Sequence, residues 1–267
     1  MRKWRPQKKP PIFLCKNNIH IYYTMNIIYN GILYSLLSTF LLLSCEIKSS
    51  HGESVSRVNN IIQPSADLYV FAYIWEPESC YENPSWAQCS NPQSFWGTNF
   101  VIHGLWPQYS SGGYPSDCTS EPFNEEVIAN IGINTMNHYW PNVKSEPNDP
   151  NYNSFWEHEW TKHGTCTTLT QDTYFNTTIN LSKKLGTPSI ITSNVGKSVS
   201  ASLIREAFGG ITMVALQCES AQYLSGVFTC WSISSIDGTP DKQIICPTDV
   251  DNEDTCSNDE VIISGFT

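Results

Sequence analysis

The sequence contains no CxxC pair, no HExxH stretch and no nucleophilic serine or cysteine motif. These absences remove the usual zinc cages, the zinc-protease helix and the covalent acyl-transfer enzymes. No internal repeat and no low-complexity tract is present. Cations are scarce as well, with 15 Lys+Arg against 25 Asp+Glu and a formal net charge of -10. Such a balance argues against passive binding to nucleic acid through a basic surface, so any polyanion must be held by a few placed cations. What the chain does have is 40% hydrophobic and 12% aromatic residues, including 9 Trp, enough to bury a real core and exclude global disorder. Its 267 residues are long for one domain and short for two large ones.

Charge is unevenly distributed. The first 45 residues hold Arg2, Lys3, Arg5, Lys8, Lys9 and Lys16 and no acid, so the remainder carries 9 - 25 = -16. Residues 27–43 are mostly apolar, follow basic residues and precede polar ones. Residues 1–45 therefore read as a basic region and secretory signal, started at Met1 or Met25 and cleaved at about 44–52. Competing readings are a retained signal anchor, a buried helix, or a lipoprotein box at Leu42-Leu43-Ser44-Cys45. Residues 46–66 read as a polar linker and 67–267 as the folded domain. The expectation is a secreted protein or one in an endolysosomal or vacuolar lumen, without stable membrane association after cleavage. Anchoring through the apolar segment is the alternative.

Cysteine usage agrees with export. Cys15 and Cys45 lie in or before the signal, leaving eight, an even number that suggests up to four disulfides. Eight cysteines allow 105 pairings, and spacing does not choose among them. Asn176 and Asn180 head two N-glycosylation acceptors.

Residues 67–75 are apolar on both alternating faces, which suits a central strand. Further strands are expected at 98–105, 211–218, 223–233 and 243–246, and helices at about 122–137, 155–163, 172–185 and 199–208. Gly186 and Gly209 read as helix stops. Because strands and helices occur in blocks, the fold class is α+β, with helices on a central antiparallel sheet in one disulfide-stabilised domain.

Two short segments carry the chemistry. In Ser154-Phe155-Trp156-Glu157, Ser followed by Glu three residues on is a capping-box signature. On the helix it starts, His158 and Lys162 share a face, as do Glu159 and His163. The two imidazoles, at i and i+5, sit about 140° apart around the axis, which does not suit a shared zinc ion. A solvated charged face is the plain alternative. The second segment is Phe100-Val101-Ile102-His103-Gly104-Leu105-Trp106-Pro107-Gln108, where Gly and Trp-Pro after His103 suggest a strand end opening into a cleft. His138 reads as a packing residue, and His20 and His51 lie in or near the processed region. Three imidazoles, one ammonium and one carboxyl suit acid–base cleavage of a phosphodiester. A substrate that brings its own nucleophile fits this set, and the 2'-hydroxyl of RNA is such a group, which DNA lacks.

FVIHGLWPQ (100–108) and FWEHEWTKHGTC (155–166) closely resemble the two active-site motifs of the ribonuclease T2 family. YPSDC (114–118), Trp140-Pro141 and the late cysteines extend the resemblance over about 67–256. The resemblance implies a metal-independent endoribonuclease acting on single-stranded RNA without a cofactor. It implies His163 as general base, His103 as general acid, His158 on the phosphate, and Glu159 with Lys162 stabilising the phosphorane. A 2',3'-cyclic phosphate would form and then open to a 3'-phosphate. It places Trp106 and Tyr114 at the first base site and Phe155 at the second. Gln108 stands where some fungal members have an adenine-favouring Asp, which leaves base preference open. It also implies Cys80–Cys89, Cys118–Cys166, Cys218–Cys256 and Cys230–Cys246 as bridges, no metal, and a monomer. A secreted binding or signalling protein reusing the fold is the rival reading, although such a protein could tolerate losing His103 or His163, and both are retained. The acidity further predicts an acidic activity optimum and weak RNA binding outside the cleft.

Overall fold

A computed structural model describes residues 66–266; the expected signal segment and residues 46–65 of the linker lie outside them. Strand β1 (Leu68–Ile74) lies between β2 (Val101–Gln108) and β5 (Tyr223–Ile233), antiparallel to both. Strands β4 (Val214–Glu219) and β6 (Pro240–Ile244) also pair with β5 in antiparallel fashion. Strand β7 (Glu260–Ile263) meets β5 in parallel at Tyr223 and Ile262, and β3 (Lys197–Ser200) closes that end against β7. The sheet is thus mixed, not wholly antiparallel. After β6 reverses the chain, the crossover through α8 (Thr248–Asp251) returns β7 in the direction of β5.

The double-sided apolar pattern of β1 is used on both faces. Tyr69, Phe71, Tyr73 and Trp75 enter the main core, together with Tyr174, Phe175 and Ile179 of α5 (Gln171–Leu185). Leu68, Val70 and Ala72 enter a second cluster with Phe228, Val250 and Trp106. Phe71 is fully buried, worth about 1.5–3 kcal/mol of apolar transfer.

Several element boundaries differ from the sequence pattern. The strand expected at 98–105 starts and ends three residues later, because β2 is a sheet edge and tolerates Pro107. The strands expected at 211–218 and 243–246 are displaced to β4 and β6. The single helix expected at 122–137 is two, α2 (Glu125–Ile131) and α3 (Ile133–Tyr139), broken at Gly132 with φ of 97°. The expectation at 199–208 contracts to α7 (Ala201–Ala207), with β3 taking the preceding residues. Helices α1 (Glu76–Glu82), α6 (Ser189–Thr192) and α8, and strands β3 and β7, are too short to leave a periodic signal. Gly186 does terminate α5, with φ of 61°.

Four disulfides are present: Cys80–Cys89, Cys118–Cys166, Cys218–Cys256 and Cys230–Cys246. No helix among the described residues is long and apolar enough to cross a membrane.

Candidate active site

Helix α4 (Ser154–Lys162) meets β2 through Glu159, which contacts Trp106, and Phe155, which contacts His103. The capping box expected at Ser154 is not formed. Ser154 is already the first helical residue, and Asn153 precedes it in a helical conformation with no side-chain cap. The chain enters α4 from a turn in which the Ser154 N–H donates to the Asn151 carbonyl. The expected face pairing survives because the helix register is unchanged. His163 caps the C-terminus, its N–H donating to the Glu159 carbonyl at 3.1 Å. A 3-10 turn (Gly164–Cys166) follows, in which a Cβ on Gly164 would meet the Trp160 ring at 2.2 Å.

His103 does not stand at a strand end. The β1–β2 register passes from Tyr73↔Ile102 to Ala72↔Gly104, leaving His103 as the extra residue of a β-bulge. A bulge re-aims one side chain without ending the strand, and His103 and Trp106 are the two partly exposed residues of the otherwise buried β2. The Trp140 indole N–H donates to the His103 carbonyl at 2.9 Å, and the Trp156 indole N–H donates to the Trp140 carbonyl at 2.8 Å. One pair of buried tryptophans thereby ties the bulge to α4.

His103, His158, Glu159, Lys162 and His163 line one cavity of about 260 Å³, together with Trp106, Gln108, Tyr114, Val70, Val250 and Glu253. Trp106 is its centrepiece. Its indole N–H donates to Glu159 Oε2 at 2.9 Å, its ring stacks on His163 at 5.3 Å, and it meets the His103 ring edge-on at 5.0 Å. Tyr114 is exposed, 6.3 Å from the His163 ring, with Lys162 Nζ 5.9 Å from its own ring. Its loop is pinned to the end of α4 by Cys118–Cys166 and by the Asp117 N–H donating to the Lys162 carbonyl. Gln108 is buried, and its Nε2 donates to Asp249 Oδ2 at 2.6 Å. Phe155 lies on the other side of His103, 5.8 Å between rings, in a second cavity of about 560 Å³. His138 packs on Phe95, with ring centroids 3.8 Å apart.

Burial controls the protonation states. It pushes the His163 imidazole down to about 3, helped by Lys162, His158 and His103. It lowers His103 to about 4, with Lys144, His158 and Lys162 adding to the effect. His158 is lowered by burial and Lys162. Burial raises the Glu159 carboxyl to about 8, against the opposing pull of the Trp106 N–H and Lys162. Burial thus favours the uncharged forms of His103, His163 and Glu159. No cluster of three or more His, Cys, Asp or Glu suited to a metal ion occurs among the described residues.

Sequence reasoning missed Val70, Val250 and Glu253 as lining residues, and Asp249 behind Gln108. They come from the second face of β1 and from around α8, and no local motif marks them. It also missed Lys144, whose charge acts on both His103 and His158.

Residues 66–239 match the family model described as "Ribonuclease T2 family". The chain belongs to the ribonuclease T2 family. Among its relatives, Ribonuclease DdI of Dictyostelium discoideum is 31% identical over 214 residues, 73% of this chain and 87% of that protein. Ribonuclease 1 of Arabidopsis thaliana is 35% identical over 149 residues, 53% of this chain and 62% of its own length. The matched stretch thus spans less than two thirds of that plant relative. Among solved structures, ribonuclease MC1 from the seeds of bitter gourd superposes with a TM-score of 0.55 at 28% identity, covering 73% of this chain and 99% of that one. A mutant of ribonuclease MC1 in complex with 5'-UMP gives a TM-score of 0.58 at 26% identity, covering 75% and 100%.

Proposed function

We propose that this ribonuclease T2 family protein is an endoribonuclease that cleaves single-stranded RNA by transphosphorylation, without metal or cofactor. The observation that carries the reading is the convergence of His103, His158, Glu159, Lys162 and His163 on one cavity. A likeness to a structure holding 5'-UMP supports a nucleotide-shaped cleft.

His163 is neutral through the acidic range and serves as general base for the 2'-hydroxyl. His103 serves as general acid for the 5'-oxygen that leaves. Its lowered pKa makes it a strong acid once charged, and the bound phosphate anion favours that charged form. Lys162 and a charged His158 hold the phosphoryl oxygens as negative charge builds. Glu159, protonated below about 8, donates a hydrogen bond to the same phosphorane. The 2'-oxygen–phosphorus bond forms as the phosphorus–5'-oxygen bond breaks, giving a 2',3'-cyclic phosphate. Water then opens it to a 3'-phosphate with the two histidine roles exchanged.

Base recognition involves Trp106, Gln108 and Tyr114 on one side and Phe155 on the other. Trp106 is already engaged by His163 and Glu159, so Tyr114 offers the freer stacking face. The protein acts in an extracellular or endolysosomal or vacuolar lumen, as a monomer after signal cleavage. Of the two glycan acceptors on α5, Asn180 is exposed, whereas the Asn176 amide donates to Asp172. Purified protein incubated with RNA at pH ~5 in excess EDTA should yield cyclic-phosphate ends. Intact RNA rejects the activity, and cleavage abolished by EDTA rejects metal independence.

A further inference from the structure

Lys144 lies outside both active-site motifs, yet its charge reaches the centre of the site. It lines the larger cavity, which shares His103, His158 and Glu159 with the smaller one. After burial, the nearby charge of Lys144, like that of Lys162, lowers the His103 pKa. Its support is rigid. The Gln88 side-chain amide donates to the carbonyls of Asn142 and Ser145, and the Gln88 backbone N–H donates to the Val143 carbonyl. The Asn142 side chain donates to the Tyr152 carbonyl, and Cys80–Cys89 anchors the turn that carries Gln88. The Lys144 ammonium stands 5.0 Å from the centre of the Trp86 ring.

Residues 66–266 carry only 7 Lys+Arg against 23 Asp+Glu, so a second placed cation beside His103 is conspicuous on this surface. No acid in that cavity neutralises it. Glu76 is fully buried with one oxygen lacking a partner, and burial keeps its carboxyl protonated in the acidic range. Glu159 is protonated there too. Resting on the ribonuclease reading, the group that leaves past His103 departs into the cavity lined by Phe155 and Lys144.

We propose that Lys144 binds the phosphodiester on the 3' side of the leaving nucleotide, forming an additional phosphate subsite beyond the scissile bond. The subsite favours internal over terminal cleavage, because a strand's last linkage has no phosphate to place there.

Binding is the primary test, since it needs no turnover. The uncleavable d(ApA) and its 3'-phosphorylated form d(ApAp) are titrated into the full protein at pH 5 and low salt. The added phosphate should tighten Kd by about threefold to tenfold, the range for a partly exposed charge pair. In Lys144→Gln that ratio should fall to about one, and Lys144→Arg should restore most of it. Equal Kd values in wild type, or an unchanged ratio in Lys144→Gln, overturn the proposal. The cleavage counterpart compares ApA with ApAp, where the advantage should lie in KM. If Lys144 only depresses the His103 pKa, Lys144→Gln alters both substrates alike and moves the pH profile, which also overturns it. Failure of the wild type to cut RNA at all rejects the ribonuclease reading instead, and the binding ratio still decides the subsite.

Discussion

Gly104→Ala places one methyl group at the junction of the two motifs. A Cβ built on Gly104 lies 2.1 Å from Glu159 Oε2 and 2.3 Å from Trp106 Nε1, the two atoms that share the hydrogen bond across the site. Carbon sits comfortably at about 3.5 Å from a neighbouring heavy atom, so both groups must retreat by roughly 1 Å or more. Glu159 is buried and Trp106 contacts both His163 and Phe228, so relief of the clash must push Glu159 and Trp106 into the cavity they line. Overpacking of this kind costs about 1–3 kcal/mol, or roughly 2–12 °C in Tm for a domain of this size. Displacing Trp106 also moves the ring that contacts both His103 and His163. A misplacement of about 1 Å in a catalytic constellation costs on the order of 10²-fold in rate. Steady-state cleavage of RNA and a thermal melt are the assays, with Trp106→Phe as the comparison, because it removes the N–H donor without crowding. If Gly104→Ala cleaves RNA within about twofold of wild type and melts within about 1 °C, the packing argument based on overpacking costs is refuted.

His103→Ala and His163→Ala should each lower kcat/KM by about 10²–10⁴-fold, and near-wild-type turnover in either rejects its role. Activity should peak at acidic pH and fall as pH rises through the His103 pKa, because the general acid must be protonated. The descending limb of kcat should lie at higher pH than that of kcat/KM, since bound phosphate stabilises the imidazolium. A maximum above pH 8 contradicts this. Burial raises Glu76 to about 8 while the unfolded carboxyl ionises near 4.5. The unfolded state releases that proton first, so the wild type should lose stability as pH rises from about 4.5 toward 8. Glu76→Gln should show a flatter Tm across that window, and parallel Tm curves count against a protonated Glu76. Asn180→Gln should abolish an N-glycan mass increment on protein secreted from a eukaryotic host, and an unchanged mass rejects that acceptor.

The five candidate catalytic residues were legible because each motif is local. The 3.6-residue repeat alone places His158 beside Lys162 and Glu159 beside His163 on one turn and a half. The long strands β1 and β5 and helix α5 were legible for the same reason, since their apolar patterns run for whole elements. Short elements such as β3 and β7 leave no such pattern, and Gly132 breaks a helix whose apolar periodicity continues through it. How His103 faces the cleft was not legible. A bulge is a mismatch between two strands, so β2 alone does not reveal it. Nor was the source of the acid–base tuning, because a pKa is set by what surrounds a group in space. Burial of Glu159 under Trp106 makes it a neutral acid, and burial, with Lys162 close by, holds His163 uncharged. Likewise, Lys144 and Glu253 reach the cavities, and Asp249 reaches Gln108, only because the turn after α3 and the segment around α8 fold back beside the two motifs. Sequence thus determined which groups are candidates for the chemistry, through two local motifs. Tertiary packing decided their charge states and the reach of the cleft, because desolvation and Coulombic proximity depend on distances between segments far apart in the chain.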